Sequence, residues 1–121
     1  MNKLVLVFSL IIMGFLISGA AQADCKIVPF NFDLLSNPTL DLEGTGDGKC
    51  THQFTSNKTT FTELTVVKKP KHGKIEQKNE FALIYNSDKN FKGKDEYTLK
   101  LCGNSLGSKG CATLNYKMTV E

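Results

Sequence analysis

Arginine is missing from this 121-residue chain, so every one of its 15 basic residues is a lysine. Without guanidinium groups there is no planar donor fork to read phosphates or guanine edges, and nucleic-acid recognition has little to stand on. No Cys-x-x-Cys pair occurs among the four cysteines, which argues against a zinc site even though two histidines are present. After Ala23 no helical period of useful length appears and no segment repeats, which argues against helical bundles and solenoids. Charge is also modest. The formal balance is +3, falling to about +2 if Lys3 is removed with the leader, which is ordinary for a soluble domain.

The amino terminus is an address. Lys3 supplies a positive start, residues 4–17 are almost wholly apolar, and Ala21-Gln22-Ala23 is a small-x-small cleavage site. The expectation is a signal peptide over residues 1–23, a mature chain beginning at Asp24, and a periplasmic or secreted product with no membrane span after cleavage. A retained anchor is the competing reading, but Ser9 and Gly14 interrupt the run and no charge cluster stops transfer. Acylation of Cys25 is a third, disfavoured by Asp24 where a small residue is wanted.

Residues 24–121 read as one domain with a small core, and chains of this size gain from covalent staples. Cys25, Cys50, Cys102 and Cys111 are an even set in an exported chain, hence two disulfides with three possible connectivities. Parity favours one of them. If Tyr97, Leu99 and Leu101 face the core, Cys102 faces outward, and Ala112, Leu114, Tyr116, Met118 and Val120 put Cys111 outward too. Cys102 with Cys111 across the last hairpin, and Cys25 with Cys50, is then the economical pairing, each bridge contributing about 3 kcal/mol by loop entropy.

Apolar and polar residues alternate between turn signals along the whole domain, which is an all-β pattern. Strands are predicted over 26–32, 39–43, 49–55, 60–67, 74–77, 81–86, 96–102 and 111–120. Short strands with one apolar face each are best satisfied by two sheets packed face to face. The predicted core is Phe61, Leu64, Val66, Ile75, Phe81, Leu83, Tyr85, Phe91, Tyr97, Leu99, Leu101, Leu114, Tyr116, Met118 and Val120, with Phe30 and Phe32 from the first strand.

One stretch is more specific. Pro70, His72 and Gly73 precede Phe81-Ala82-Leu83-Ile84-Tyr85, followed by Phe91-Lys92-Gly93 and Asp95-Glu96-Tyr97. In kind and spacing these residues resemble the bacterial immunoglobulin-like and cadherin-like sandwich domains of surface and exported proteins. The resemblance runs from Leu64 to the end and fades upstream of Thr60. It implies an immunoglobulin-like antiparallel sandwich of seven to eight strands, of a family that mostly holds, spaces or binds and rarely catalyses. It also implies corner roles for His72, Gly73 and Gly93, and for Asp95 the part of an acid fixing the turn into its strand. The absence of tryptophan separates the chain from antibody-type domains, in which that residue packs on the disulfide.

The remaining chemical motifs are weak. Gly103-Asn104-Ser105-Leu106-Gly107 matches the G-x-S-x-G elbow, but that motif needs a following helix and a later histidine, and no histidine follows Ser105. Asp41, Glu43 and Asp47 offer carboxylates for calcium, yet the spacing fails where His52 holds the closing position, and a solvated hairpin loop is the plainer reading. His52 and His72 lack ligand-spaced partners. No catalytic residue, metal site or cofactor is implied.

Two recognition elements are left. Lys68, Lys69, Lys71 and Lys74 form a basic run that can meet an anionic surface ligand, against the plainer reading of a solvated turn. Residues 103–110, clasped by the expected bridge, present Asn104, Ser105, Leu106 and Lys109 as a candidate binding loop for a protein. The expectation is an exported non-enzymatic binding or envelope-associated module. The alternative is a small secreted hydrolase inhibitor acting through the 103–110 loop.

Overall fold

The computed structural model describes residues 25–121, so the leader expected over 1–23 lies outside the described residues. Eight strands form two sheets: β1 (Cys25–Ile27), β2 (Thr39–Gly46), β3 (Lys49–Gln53), β4 (Thr59–Lys68), β5 (Gly73–Asn79), β6 (Ala82–Ser87), β7 (Gly93–Ser105) and β8 (Ser108–Val120). The larger sheet has the order β1-β2-β8-β7-β4 and the smaller β3-β6-β5. All pairs are antiparallel except β2 with β8, which runs parallel from Thr39 opposite Thr113 to Gly46 opposite Val120. This parallel pair departs from the purely antiparallel expectation. After β2 the chain turns at Asp47 and Gly48, the latter at φ 121°, and enters the smaller sheet as β3 instead of closing a hairpin.

The predicted parity holds. Leu99, Leu101, Leu114, Tyr97, Tyr116, Met118 and Val120 face the smaller sheet's Cys50, Leu83 and Tyr85, all buried. Each fully buried leucine contributes about 2 kcal/mol by removal of apolar area from water. Phe30, Phe32, Phe61, Val66, Ile75, Phe81 and Phe91 pack around this centre, partly exposed.

The first predicted strand is cut short. β1 covers three residues, and the chain then crosses to a 3₁₀ turn at Leu34–Ser36 whose first turn is capped by the Asp33 carboxylate accepting from the Leu35 N–H. Asn37, at φ 50°, ends it. Its side-chain oxygen accepts from the Cys111 N–H, and the Pro38 carbonyl accepts from the Thr113 N–H, so this segment takes over beside β8 where β2 has not yet begun.

Both disulfides are formed in the predicted pairing, Cys25 with Cys50 and Cys102 with Cys111. The first ties β1 in the larger sheet to β3 in the smaller. The second joins directly opposed residues of β7 and β8 on the outward face. Paired cysteines of this kind belong with oxidising compartments. Among the described residues no helix is long and apolar enough to cross a membrane.

Candidate functional site

The Pro-x-His-Gly and Phe-x-Gly-x-Asp residues converge on Asp95, which is 3% exposed. Its carboxylate accepts from the backbone N–H groups of Lys71, His72 and Glu96 and from the Tyr85 hydroxyl at 2.8 Å. Asp95 therefore fixes the distant β4–β5 corner as well as the entry to its own strand. Gly73 is needed there because a Cβ would sit 2.5 Å from the Asn86 carbonyl oxygen and 2.7 Å from the Tyr85 ring. The His72 imidazole stacks on Phe91 with centroids 4.4 Å apart, while its carbonyl accepts from the Asp88 N–H. Gly93 takes φ 132°, a conformation that L side chains seldom adopt. These residues bind each other.

A second polar group lies deeper. Tyr85, Tyr97 and Tyr116, the only tyrosines of the chain, stack in sequence with centroids 4.8 and 5.5 Å apart. His52, 5% exposed, joins them from β3. Burial pushes its imidazole down to about 4 and pushes all three phenols well above their usual range. Hydrogen bonding to Asp95 adds to the rise at Tyr85. Among the described residues no buried side-chain nitrogen or oxygen lacks a partner. Sequence reasoning left His52 unplaced; its alternation with Cys50 in β3 is the signal that points it inward.

The basic run is divided by the fold. Lys68 ends β4 on the outward face of the larger sheet, 3.5 Å from the Glu96 carboxylate. Lys74, next to inward Ile75, points outward from the smaller sheet. Lys69 and Lys71 lie exposed on the corner between them. The four lysines thus do not make one patch, because the corner passes from one sheet to the other. A shallow depression instead gathers Lys68, Lys71 and Lys94 with His72 and Glu96.

Residues 103–110 are not an open loop. β7 and β8 stay in register through Gly103 opposite Gly110, Asn104 opposite Lys109 and Ser105 opposite Ser108, leaving Leu106 and Gly107 as a two-residue turn. Both turn residues have positive φ, 54° and 81°, as type I′ hairpin turns require. The hairpin is braced at its base. A Cβ on Gly110 would overlap the Leu34 carbonyl, and one on Gly103 would meet the Thr60 carbonyl oxygen at 2.7 Å, so glycine admits the 3₁₀ turn on one side and β4 on the other. Beyond this base Leu106 projects, 93% exposed.

Strand, turn and strand replace the strand, turn and helix that a G-x-S-x-G elbow demands. His52 contacts Tyr97, eight strand residues or roughly 25 Å along β7 from Ser105, and Asp47 lies at the opposite end of the sandwich. Asp41 and Glu43 alternate outward along β2, Asp41 accepting from the Asn115 amide, so the three carboxylates are not gathered. Among the described residues no group of three or more His, Cys, Asp or Glu stands ready to hold a metal ion. The outward face of the larger sheet carries a polar row that sequence reasoning also missed, in which Thr98 donates to Asn115 and Asn115 to Asp41. Beside β1 opens a groove of about 680 Å³, floored by Gly44 and Met118 and edged by Lys26, Glu43, Lys94 and Lys117.

No family model matches the chain, and no curated protein matches it.

Proposed function

We propose that the chain is an exported, non-enzymatic, immunoglobulin-like binding or envelope-associated module whose contact element is the β7–β8 hairpin. The braced and clasped hairpin carries this reading. Two thirteen-residue strands, a disulfide across them and a two-residue turn present side chains whose ordering cost on binding is already met by folding. The buried polar groups favour a structural interior, since Asp95, Tyr85, His52 and Tyr97 bond to one another or to backbone. Eight strands in two sheets, every pair but one antiparallel, support the immunoglobulin-like assignment. Paired cysteines support the periplasm or cell exterior as its location.

The test uses the tagged full-length chain in its source cells. Mass mapping is expected to find the processed protein starting at Asp24, without free thiols, in the periplasm or medium. Photo-crosslinkers placed one at a time at Lys117 on the sheet face and Ser108 on the hairpin are expected to yield protein adducts. An uncut cytoplasmic chain, or no adduct from either position, overturns the reading.

A second reading has one observation in its favour: a stiff hairpin ending in a single apolar side chain fits an enzyme cleft. A hydrolase inhibitor would bind one enzyme with nanomolar affinity and lose that binding when Ser105 or Leu106 is changed.

A further inference from the structure

Leu106 is disfavoured where it stands in two separate ways. Its backbone lies at φ 54°, a region in which the Cβ of an L residue crowds the following carbonyl oxygen, and asparagine or glycine is the common occupant of this turn position. Its side chain is 93% exposed, so it gains nothing from burial within the fold. Neither local geometry nor packing explains a leucine here. An outlier of this kind points to use by something outside the chain.

We propose that Leu106 is the anchor of a protein–protein contact, inserting into a small apolar pocket rimmed by carboxylates on a partner protein. This rests on the binding-module reading and makes it specific. The stated pocket follows from what surrounds the leucine. Lys109 lies opposite Asn104 just behind the tip, and Lys58 immediately precedes Thr59, which pairs with Ser105 on the adjoining strand. The nearest carboxylate on β4 is that of Glu63, set back beside Cys102. An apolar knob on a tip that carries Lys109 and adjoins Lys58, with Asn104, Ser105 and Ser108 as polar neighbours, matches an apolar pocket with a negative border. The bracing of Gly103 and Gly110 against Leu34 and β4 keeps the knob aimed, and an aimed anchor loses little freedom on docking.

The experiment carries a photo-crosslinking amino acid at Ser108 of the full chain and compares Leu106, Leu106→Asn, Leu106→Met and Lys109→Glu in the envelope fraction of the source cell. Unfolding of the same proteins is measured in urea. Leu106→Asn is expected to raise the folding equilibrium constant about five-fold by relieving the turn, while reducing the adduct at least ten-fold. Leu106→Met, which keeps apolar reach and the strained backbone, is expected to retain the adduct. Lys109→Glu, or raising salt to half molar, is expected to weaken it several-fold. An adduct of equal yield with Leu106→Asn, an Asn variant less stable than the parent, or no adduct at Ser108 overturns the inference. Adducts from Lys117 without any from Ser108 leave a binding module that uses its sheet face, and their absence from both removes the module reading as well.

Discussion

His52 Nε2 lies 2.6 Å from the Tyr97 hydroxyl, and the same imidazole rests against Tyr116 with ring centroids 4.4 Å apart. A histidine that shares its hydrogen bond with a phenol in an aromatic stack is held neutral, because nothing there compensates a desolvated positive charge.

That burial sets an acid dependence. With the folded imidazole pushed down to about 4 and the unfolded one near 6.5, the unfolded chain binds the extra proton between those values. The contribution is fully present above pH 6.5 and is lost as pH falls toward 4, amounting to about 3 kcal/mol. Urea unfolding at pH 7, 6, 5 and 4 should show this decline. In His52→Gln the slope should be visibly flatter, although its stability at pH 7 is lower.

Asp95 should be the costliest single polar side chain to remove. Asp95→Ala strands the Tyr85 hydroxyl and the Lys71 and His72 N–H groups, and should destabilise by about 3–5 kcal/mol. Tyr85→Phe alone should cost about 1 kcal/mol, and nothing further when added to Asp95→Ala. Denaturant titration of the four proteins gives the coupling directly; additive costs would contradict the shared network.

The glycines of the last hairpin should differ sharply. Gly110→Ala forces the Leu34 backbone aside and should cost about 3 kcal/mol, with faster hydrogen exchange over residues 33–38. Gly107→Ala meets nothing within 4 Å, so only its φ of 81° resists, at about 1 kcal/mol. Thermal unfolding ranks the two.

Most of the sandwich was legible because alternation is a local signal. Tyr97, Leu99 and Leu101 declare their face within five residues, and from that parity followed the Cys102–Cys111 pairing. What escaped was set by long-range contact. The end of β1 at Ile27 was signalled by Pro29, which has no N–H to give a ladder, but the short pairing of β1 with only Gly44, Thr45 and Gly46 of β2 was not. Residues 103–110 look like a loop from their glycines and serines, yet Gly103 is there for the Thr60 carbonyl on β4 and Gly110 for Leu34, both far away in sequence. The motif residues were recognised while the range of Asp95 was underestimated, as its partners at Lys71 and His72 come close only through the fold.

The disulfides should contribute unequally. Replacing Cys25 and Cys50 by Ala opens a link across 25 positions and should cost about 3.5 kcal/mol, against about 2.5 kcal/mol for Cys102 and Cys111, separated by 9. The first change should also release β1, read as rapid exchange of the Val28 amide, which now donates to Glu43. Equal costs with β1 still protected would show that β1 docks without its bridge.

β8 occupies the middle of the larger sheet, between β2 and β7, although it follows the other seven described strands along the chain. Until it emerges from the ribosome, β2 has no inner neighbour and the two sheets have no central ridge to close on. A nascent chain is thereby kept from collapsing early into its final shape. Under the proposed reading of an exported module, delayed closure would suit a chain that crosses a membrane before it folds.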